Sequence, residues 1–100
     1  MVIKKNQLKD KTIIDLVGEF DDDSTAEFQD VLLSELENSK HIELNFAGVE
    51  LITSLGLSAL LSVFIAATNR GAELPLSNVS TFVMNTLEMF GFTEEFTIIS

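Results

Sequence analysis

Hydrophobic positions along this chain change their period several times, and each change marks a new element. Val2 to Gln7 and Thr12 to Val17 are short segments rich in β-branched residues, separated by the polar turn Leu8-Lys9-Asp10-Lys11. That pattern predicts an antiparallel hairpin, with Gly18 ending its second strand. The acidic loop Glu19-Phe20-Asp21-Asp22-Asp23 follows, and Ser24-Thr25-Ala26-Glu27 has the spacing of a capping box. Ala26, Val31, Leu32 and Leu36, with Phe28 alongside, then recur at helical intervals and predict a helix to about Glu37.

His41 to Phe46 predicts a third strand, with Ala47-Gly48-Val49-Glu50 as the loop after it. Leu57, Leu60, Leu61, Phe64 and Ile65 return to helical spacing, and Gly71 stands where a C-terminal cap belongs. Glu73-Leu74-Pro75-Leu76 is a short strand whose proline points to a place near a sheet edge. Ser80 caps a third helix carrying Phe82, Val83, Leu87 and Phe90, closed by Gly91, and Phe96-Thr97-Ile98-Ile99 reads as a last strand. The order β-β-α-β-α-β-α-β implies an α/β domain spanning residues 1–100. Its sheet is mixed and mostly parallel, the hairpin supplying the antiparallel pair. The second helix is apolar nearly all round, so it is expected to be buried on more than one side. Its start, Thr53-Ser54, is thereby placed at the C-terminal edge of the sheet, where open α/β sheets carry their functional sites.

Composition narrows the chemistry. Hydrophobic residues make up 46% of the 100, enough for one folded core. The absence of cysteine excludes disulfides and thiolate metal sites, and a single histidine, His41, leaves no triad or imidazole cluster. His41 reads as a partly exposed strand residue, and neither a catalytic nor a metal-binding group nor a cofactor site is expected. The start, Met1-Val2-Ile3-Lys4-Lys5-Asn6, lacks the apolar run of a signal peptide. Leu55 to Ala67, the longest apolar stretch, is too short to span a bilayer. The expectation is a cytoplasmic domain.

Net charge is −10, and four of the six basic residues (Lys4, Lys5, Lys9, Lys11) fall within the first eleven positions. From Thr12 onward only Lys40 and Arg70 oppose fifteen acids. Such a surface repels phosphate backbones, so no nucleic-acid partner is expected. Asp21, Asp22 and Asp23 read as a solvated, dipole-favourable helix entry rather than a cation site. Met84, Met89, Phe82, Phe90 and Phe92 read as core, with Met89 and Phe92 left near the surface.

Chemistry concentrates at Leu51-Ile52-Thr53-Ser54-Leu55-Gly56-Leu57, where two hydroxyls meet a helix start. A hydroxyl there can cap the helix, and it can carry a phosphate that the helix dipole tolerates. With Gly18-Glu19-Phe20-Asp21 before it and Leu87-Glu88-Met89-Phe90-Gly91-Phe92 after it, this block resembles the STAS domain of bacterial anti-sigma factor antagonists along essentially the whole chain. The family pattern at the switch is Asp-Ser-Ser/Thr-Gly-Leu-Gly, with phosphorylation on the serine after the aspartate. The resemblance puts the phosphoacceptor on Ser54, with Thr53 a lesser candidate, and Gly56-Leu57 on the Gly-Leu of the motif. Here Thr53 stands in place of the aspartate and Leu55 in place of a small hydroxyl residue. Asp21 matches the acid of the Gly-Glu-Leu-Asp block, and the loop after it is one residue longer than the pattern.

The resemblance therefore implies a non-enzymatic partner-switching regulator. Asp21, Thr53, Ser54, Leu55, Gly56 and Leu57 would form its partner surface. Its partners would be a serine-kinase anti-sigma factor and a metal-dependent protein phosphatase. A non-switching STAS subunit of a lipid-transport ABC system is the second reading. A hydrolase using Ser54 as nucleophile is the third and weakest, because no general base is near in sequence.

Overall fold

The computed structural model describes residues 1–99. Five strands form one sheet in the sequential order β1-β2-β3-β4-β5. They are β1 (Val2–Gln7), β2 (Thr12–Phe20), β3 (Ile42–Ile52), β4 (Leu76–Ser77) and β5 (Ile98–Ile99). The pair β1–β2 is antiparallel and every later pair is parallel. Three helices make the crossovers: α1 (Thr25–Leu36), α2 (Ser54–Asn69) and α3 (Thr81–Met89). The mixed, mostly parallel α/β fold is as the hydrophobic pattern predicts.

β2 and β3 are both longer than the sequence pattern indicates. β2 continues through Gly18 to Phe20, and β3 absorbs the expected loop Ala47–Glu50 and runs on to Ile52. Two register slips explain this: Asp15 pairs with Asn45 but Val17 with Gly48, and Gly18 pairs with Val49 but Glu19 with Leu51. Each slip inserts one extra residue into β3, so its 11 residues run beside the 9 of β2. Gly18 has φ +113, and a Cβ on Gly48 would lie 2.9 Å from Val17 Cγ2. These glycines build bulges rather than ending strands.

The other boundaries shift less. Pro75 precedes β4, and its carbonyl accepts from Leu44 N at 2.9 Å; β4 lies between β3 and β5, not at an edge. Proline is tolerated there because only its carbonyl is needed by the neighbouring strand. β5 is limited to Ile98–Ile99, with Phe96 packed inside against Phe64 at 5.0 Å. The capping box at the start of α1 also lies three residues earlier than Ser24–Glu27. Asp21 accepts from Ser24 Oγ at 2.8 Å and Ser24 Oγ lies 3.4 Å from Asp21 N, around a short 3-10 turn over Asp22–Ser24.

One face of the sheet packs on α1 and α2. Ile14, Leu16, Phe20, Ile42, Leu44 and Phe46 are fully buried from the sheet, facing Phe28 and Leu32 of α1 and Leu60 and Val63 of α2. α3 buries Val83 and Leu87 and packs against β3. The other face carries a polar chain across β1, β2 and β3 to Asn78, just after β4. Asp15 accepts from Asn6 at 2.9 Å and from Asn45 at 2.8 Å, and Asn45 accepts from Asn78 at 2.9 Å.

Glu35 of α1 is a buried carboxylate that ties β1 to the core. It pairs with Lys5 at 2.8 Å and lies 3.2 Å from the hydroxyl of fully buried Thr12. Truncating it removes a charge-assisted pair with Lys5 and leaves the Thr12 hydroxyl with Gln7 Oε1, at 3.2 Å, as its remaining acceptor. Glu35→Ala is expected to lower unfolding free energy by about 1–3 kcal/mol. Glu37→Ala, at an exposed position just beyond α1, is expected to change it by less than about 0.5 kcal/mol. Urea denaturation of the two variants checks the difference.

Candidate functional site

The C-terminal ends of β2 and β3 deliver two loops side by side. Phe20 ends β2 and opens the acidic loop, while Ile52 ends β3 and leads through Thr53 into α2. Thr53 N donates to Phe20 O at 3.0 Å, which extends the strand ladder one step and fixes where α2 begins. Gly56 allows this close approach. A Cβ there would lie 2.4 Å from Phe20 O and 2.8 Å from Phe20 Cδ1, so only a glycine lets the first turn of α2 rest on the end of β2.

The two hydroxyls at the helix start are in different states. Thr53 is the N-cap, with extended backbone (φ −87, ψ 171), and its Oγ1 accepts from Gly56 N at 3.2 Å. The same hydroxyl donates to Asp22 Oδ1 at 3.0 Å, so both of its hydrogen-bonding roles are used. Ser54 is the first helical residue and is exposed; among the described residues its hydroxyl has no hydrogen-bond partner. Leu55 beside it is 56% exposed, whereas Gly56 and Leu57 are buried. Thr53, Ser54 and Leu55 thus reach the surface, and Gly56 and Leu57 hold the helix start against the sheet from inside.

Asp21 does not reach Thr53. Its carboxylate is turned onto Ser24, and Asp22 makes the cross-loop contact instead. Sequence reasoning picked Asp21 and missed Asp22, although the extra residue noticed in the loop is the signal. Asp21, Asp22, Asp23 and Thr53 line a shallow depression at this edge. Glu19 and Glu50 lie at the same edge, near the ends of β2 and β3, with no lysine or arginine among them. Lys9, Lys11, Lys40 and Arg70 instead lie at the opposite edge, in the β1–β2 turn, before β3 and at the end of α2. The candidate site is therefore an acidic, uncompensated rim around one free hydroxyl and one exposed leucine.

Thr53 carries the local stability of this arrangement. Thr53→Val keeps the shape but loses the cap to Gly56 N and the bond to Asp22. It is expected to cost about 1–2 kcal/mol in thermal or urea unfolding, and Thr53→Ser a few tenths. If the two variants unfold alike, the cap is not what holds the start of α2.

A mixed five-stranded sheet with this order, and a capped helix start abutting the end of β2, define a STAS-type domain. The family model described as "Mlab, STAS domain" matches residues 3–99, and the chain belongs to the STAS domain family. Among solved structures it resembles the anti-sigma factor antagonist SpoIIAA in its unphosphorylated form. The two are 17% identical, with a TM-score of 0.76, covering 99% of this chain and 88% of that one. A candidate anti-sigma factor antagonist of Thermotoga maritima is 18% identical with a TM-score of 0.90, covering 98% and 86%. A sulfate transporter family protein of Wolinella succinogenes is 26% identical with a TM-score of 0.72, covering 91% and 78%. No curated protein matches this chain at a significant level. Among the described residues, no helix is long and apolar enough to cross a membrane.

Proposed function

We propose that this chain is an anti-sigma factor antagonist that works by partner switching. In its unmodified form it binds a serine-kinase anti-sigma factor through the surface around Ser54 and Leu55. Phosphorylation of Ser54 releases it, and a metal-dependent phosphatase resets it. The chain itself catalyses nothing in this scheme; it is a substrate and a binder, working in the cytoplasm.

The observation that carries the reading is the contrast between the two hydroxyls: Ser54 is exposed and unpartnered, while Thr53 is engaged on both sides. A phosphate on Ser54 would meet the free amides and positive dipole end of α2, which favour an anion. It would also add charge beside Asp22 on a rim whose named residues include no lysine or arginine, which opposes any partner surface fitted to the neutral form. The test is incubation of the chain with its co-encoded serine kinase and ATP, read by intact mass and fragment sequencing. One phosphate on Ser54, retained in Thr53→Val and lost in Ser54→Ala, supports the proposal. An unmodified chain after full turnover of the kinase would sink it.

One observation favours a second reading, a non-switching STAS subunit of a lipid-transport ABC system. Thr53 stands where the switch pattern has aspartate, and the acidic rim disfavours a phosphate by like-charge repulsion. Stable co-purification with a membrane ATPase, unaffected by phosphatase treatment, distinguishes it from the first.

A further inference from the structure

We infer that a second site, at the N-terminal edge of the parallel strands, binds a small uncharged molecule with an apolar body and a hydroxyl head. A cavity of about 670 Å³ opens there, on the edge of the sheet opposite Ser54. Its volume lies within the range of clefts that hold small organic ligands. Much of its wall is apolar. The last turns of α2 present Phe64, the segment entering β4 presents Leu74 and Pro75, and Ile42 is the first residue of β3. Phe64 is braced edge-on by Phe96 at 5.0 Å, so this part of the wall is formed before any ligand arrives. Ile99 of β5 completes the lining and is 39% exposed.

Charge at the rim is matched, and this sets the ligand class. Lys11 Nζ lies 2.9 Å from Glu43 Oε1. Hydrogen bonds from Lys11 and from Ser77 hold the Glu43 carboxyl below its ordinary range, so the pair stays ionised and internally neutral. Glu73 is paired with His41 Nδ1 at 2.6 Å. Asp10, the remaining acid of the lining, stands between Lys9 and Lys11 in the chain, and Lys40 and Arg70 lie at the same edge. An ion of either sign therefore gains no unpaired countercharge here. It gives up hydration on entering, at a greater cost than an uncharged group bears. A hydroxyl suits what is left. It both donates and accepts, so it can bond the second ring nitrogen of His41, Nε2, whether that ring is neutral or charged. Its hydrocarbon displaces water from Phe64, Leu74 and Ile99.

The experiment is a titration of the isotope-labelled full chain, followed by amide shifts in NMR, with three probes of one shape: phenylbutanol, phenylbutylamine and phenylbutyrate. Saturable shifts confined to the amides around Lys11, Ile42, Leu74 and Thr97 are expected. The alcohol should bind at least about five-fold tighter than either ion. Lys11→Met strips Glu43 of its cation and is expected to move the preference toward the amine by about three- to five-fold. Thr68→Trp, at an exposed position of α2 in the cavity lining, fills the space and should abolish binding of all three probes. Ile99→Trp, on the β5 side, does the same and serves if the first variant disturbs the fold's spectrum. Equal or tighter binding of the amine or of phenylbutyrate to the unaltered chain overturns the assignment of an uncharged ligand, as does an unchanged ranking in Lys11→Met. Absence of saturable shifts with the alcohol, or shifts that survive the tryptophan variants, overturns the site itself.

Discussion

Gly56→Ala is expected to be the most damaging single-methyl change in this protein, costing about 3 kcal/mol of stability. On a 100-residue domain that lowers Tm by on the order of 15 °C. The added Cβ would sit 2.4 Å from Phe20 O and 2.8 Å from Phe20 Cδ1. Neither neighbour can move cheaply. The carbonyl already accepts from Thr53 N at 3.0 Å, and the ring is fully buried against Phe28 at a centroid distance of 4.6 Å. The helix must therefore back away from the sheet, which breaks the Thr53 bond and displaces Ser54. Gly71→Ala is the control. Gly71 has φ +69 with nothing within 4 Å of an added Cβ, so only the left-handed backbone resists alanine, at about 1–2 kcal/mol. Calorimetry of the two variants should rank Gly56 well above Gly71. Equal losses would mean that α2 does not rest on Phe20 as described.

The second large effect concerns binding. If the partner-switching proposal holds, Ser54→Asp weakens binding to the cognate anti-sigma kinase by at least about 30-fold, equivalent to ~2 kcal/mol. Ser54→Ala keeps it within about three-fold. The fold should tolerate both. A carboxylate in the first turn of a helix gains about 0.3–1 kcal/mol from the dipole, which offsets repulsion from Asp22 nearby. Unchanged Tm together with lost binding identifies an interface effect, measured by calorimetric titration. Ser54→Asp and Ser54→Ala with the same affinity would remove Ser54 from the partner surface and leave the non-switching subunit as the reading to pursue. Leu55→Ala complements this pair. Its side chain is 56% exposed, so a loss of affinity without a loss of stability would place it in the interface.

The long elements could be read from hydrophobic period, because β2, β3, α1 and α2 carry buried apolar positions at regular spacing. β1, exposed at five of its six residues, was read from its β-branched residues and the polar turn after it. Ile14 and Leu16 alternate along β2, and Leu57, Leu60 and Val63 form the buried stripe of α2. Glycines misled the reading of strand ends. Gly18 and Gly48 look like terminators, yet here they relieve bulges whose existence depends on two strands meeting with unequal residue counts. No single-strand pattern contains that information. At the site, a hydroxyl cap at the start of α2 was legible from local rules, and the structure puts it on Thr53, with Ser54 as the first helical residue. The partnership of Thr53 with Asp22 was not, since it joins residues 31 apart through the loop's tertiary placement. Gly56 and Leu57 are part of the recognisable motif, but their burial shows that they shape the surface without forming it.

The uneven placement of charge has a kinetic consequence. With Asp21, Asp22, Asp23, Glu19 and Glu50 near one edge and Lys9, Lys11, Lys40 and Arg70 at the other, the molecule has a permanent electric moment along its strands. A basic partner approaching by diffusion turns it before touching it, so that the Ser54 end leads. Raising salt from about 0.05 to 0.5 M shortens the reach of that field to a few ångströms and slows encounter, while dissociation, governed by short-range contacts, barely changes.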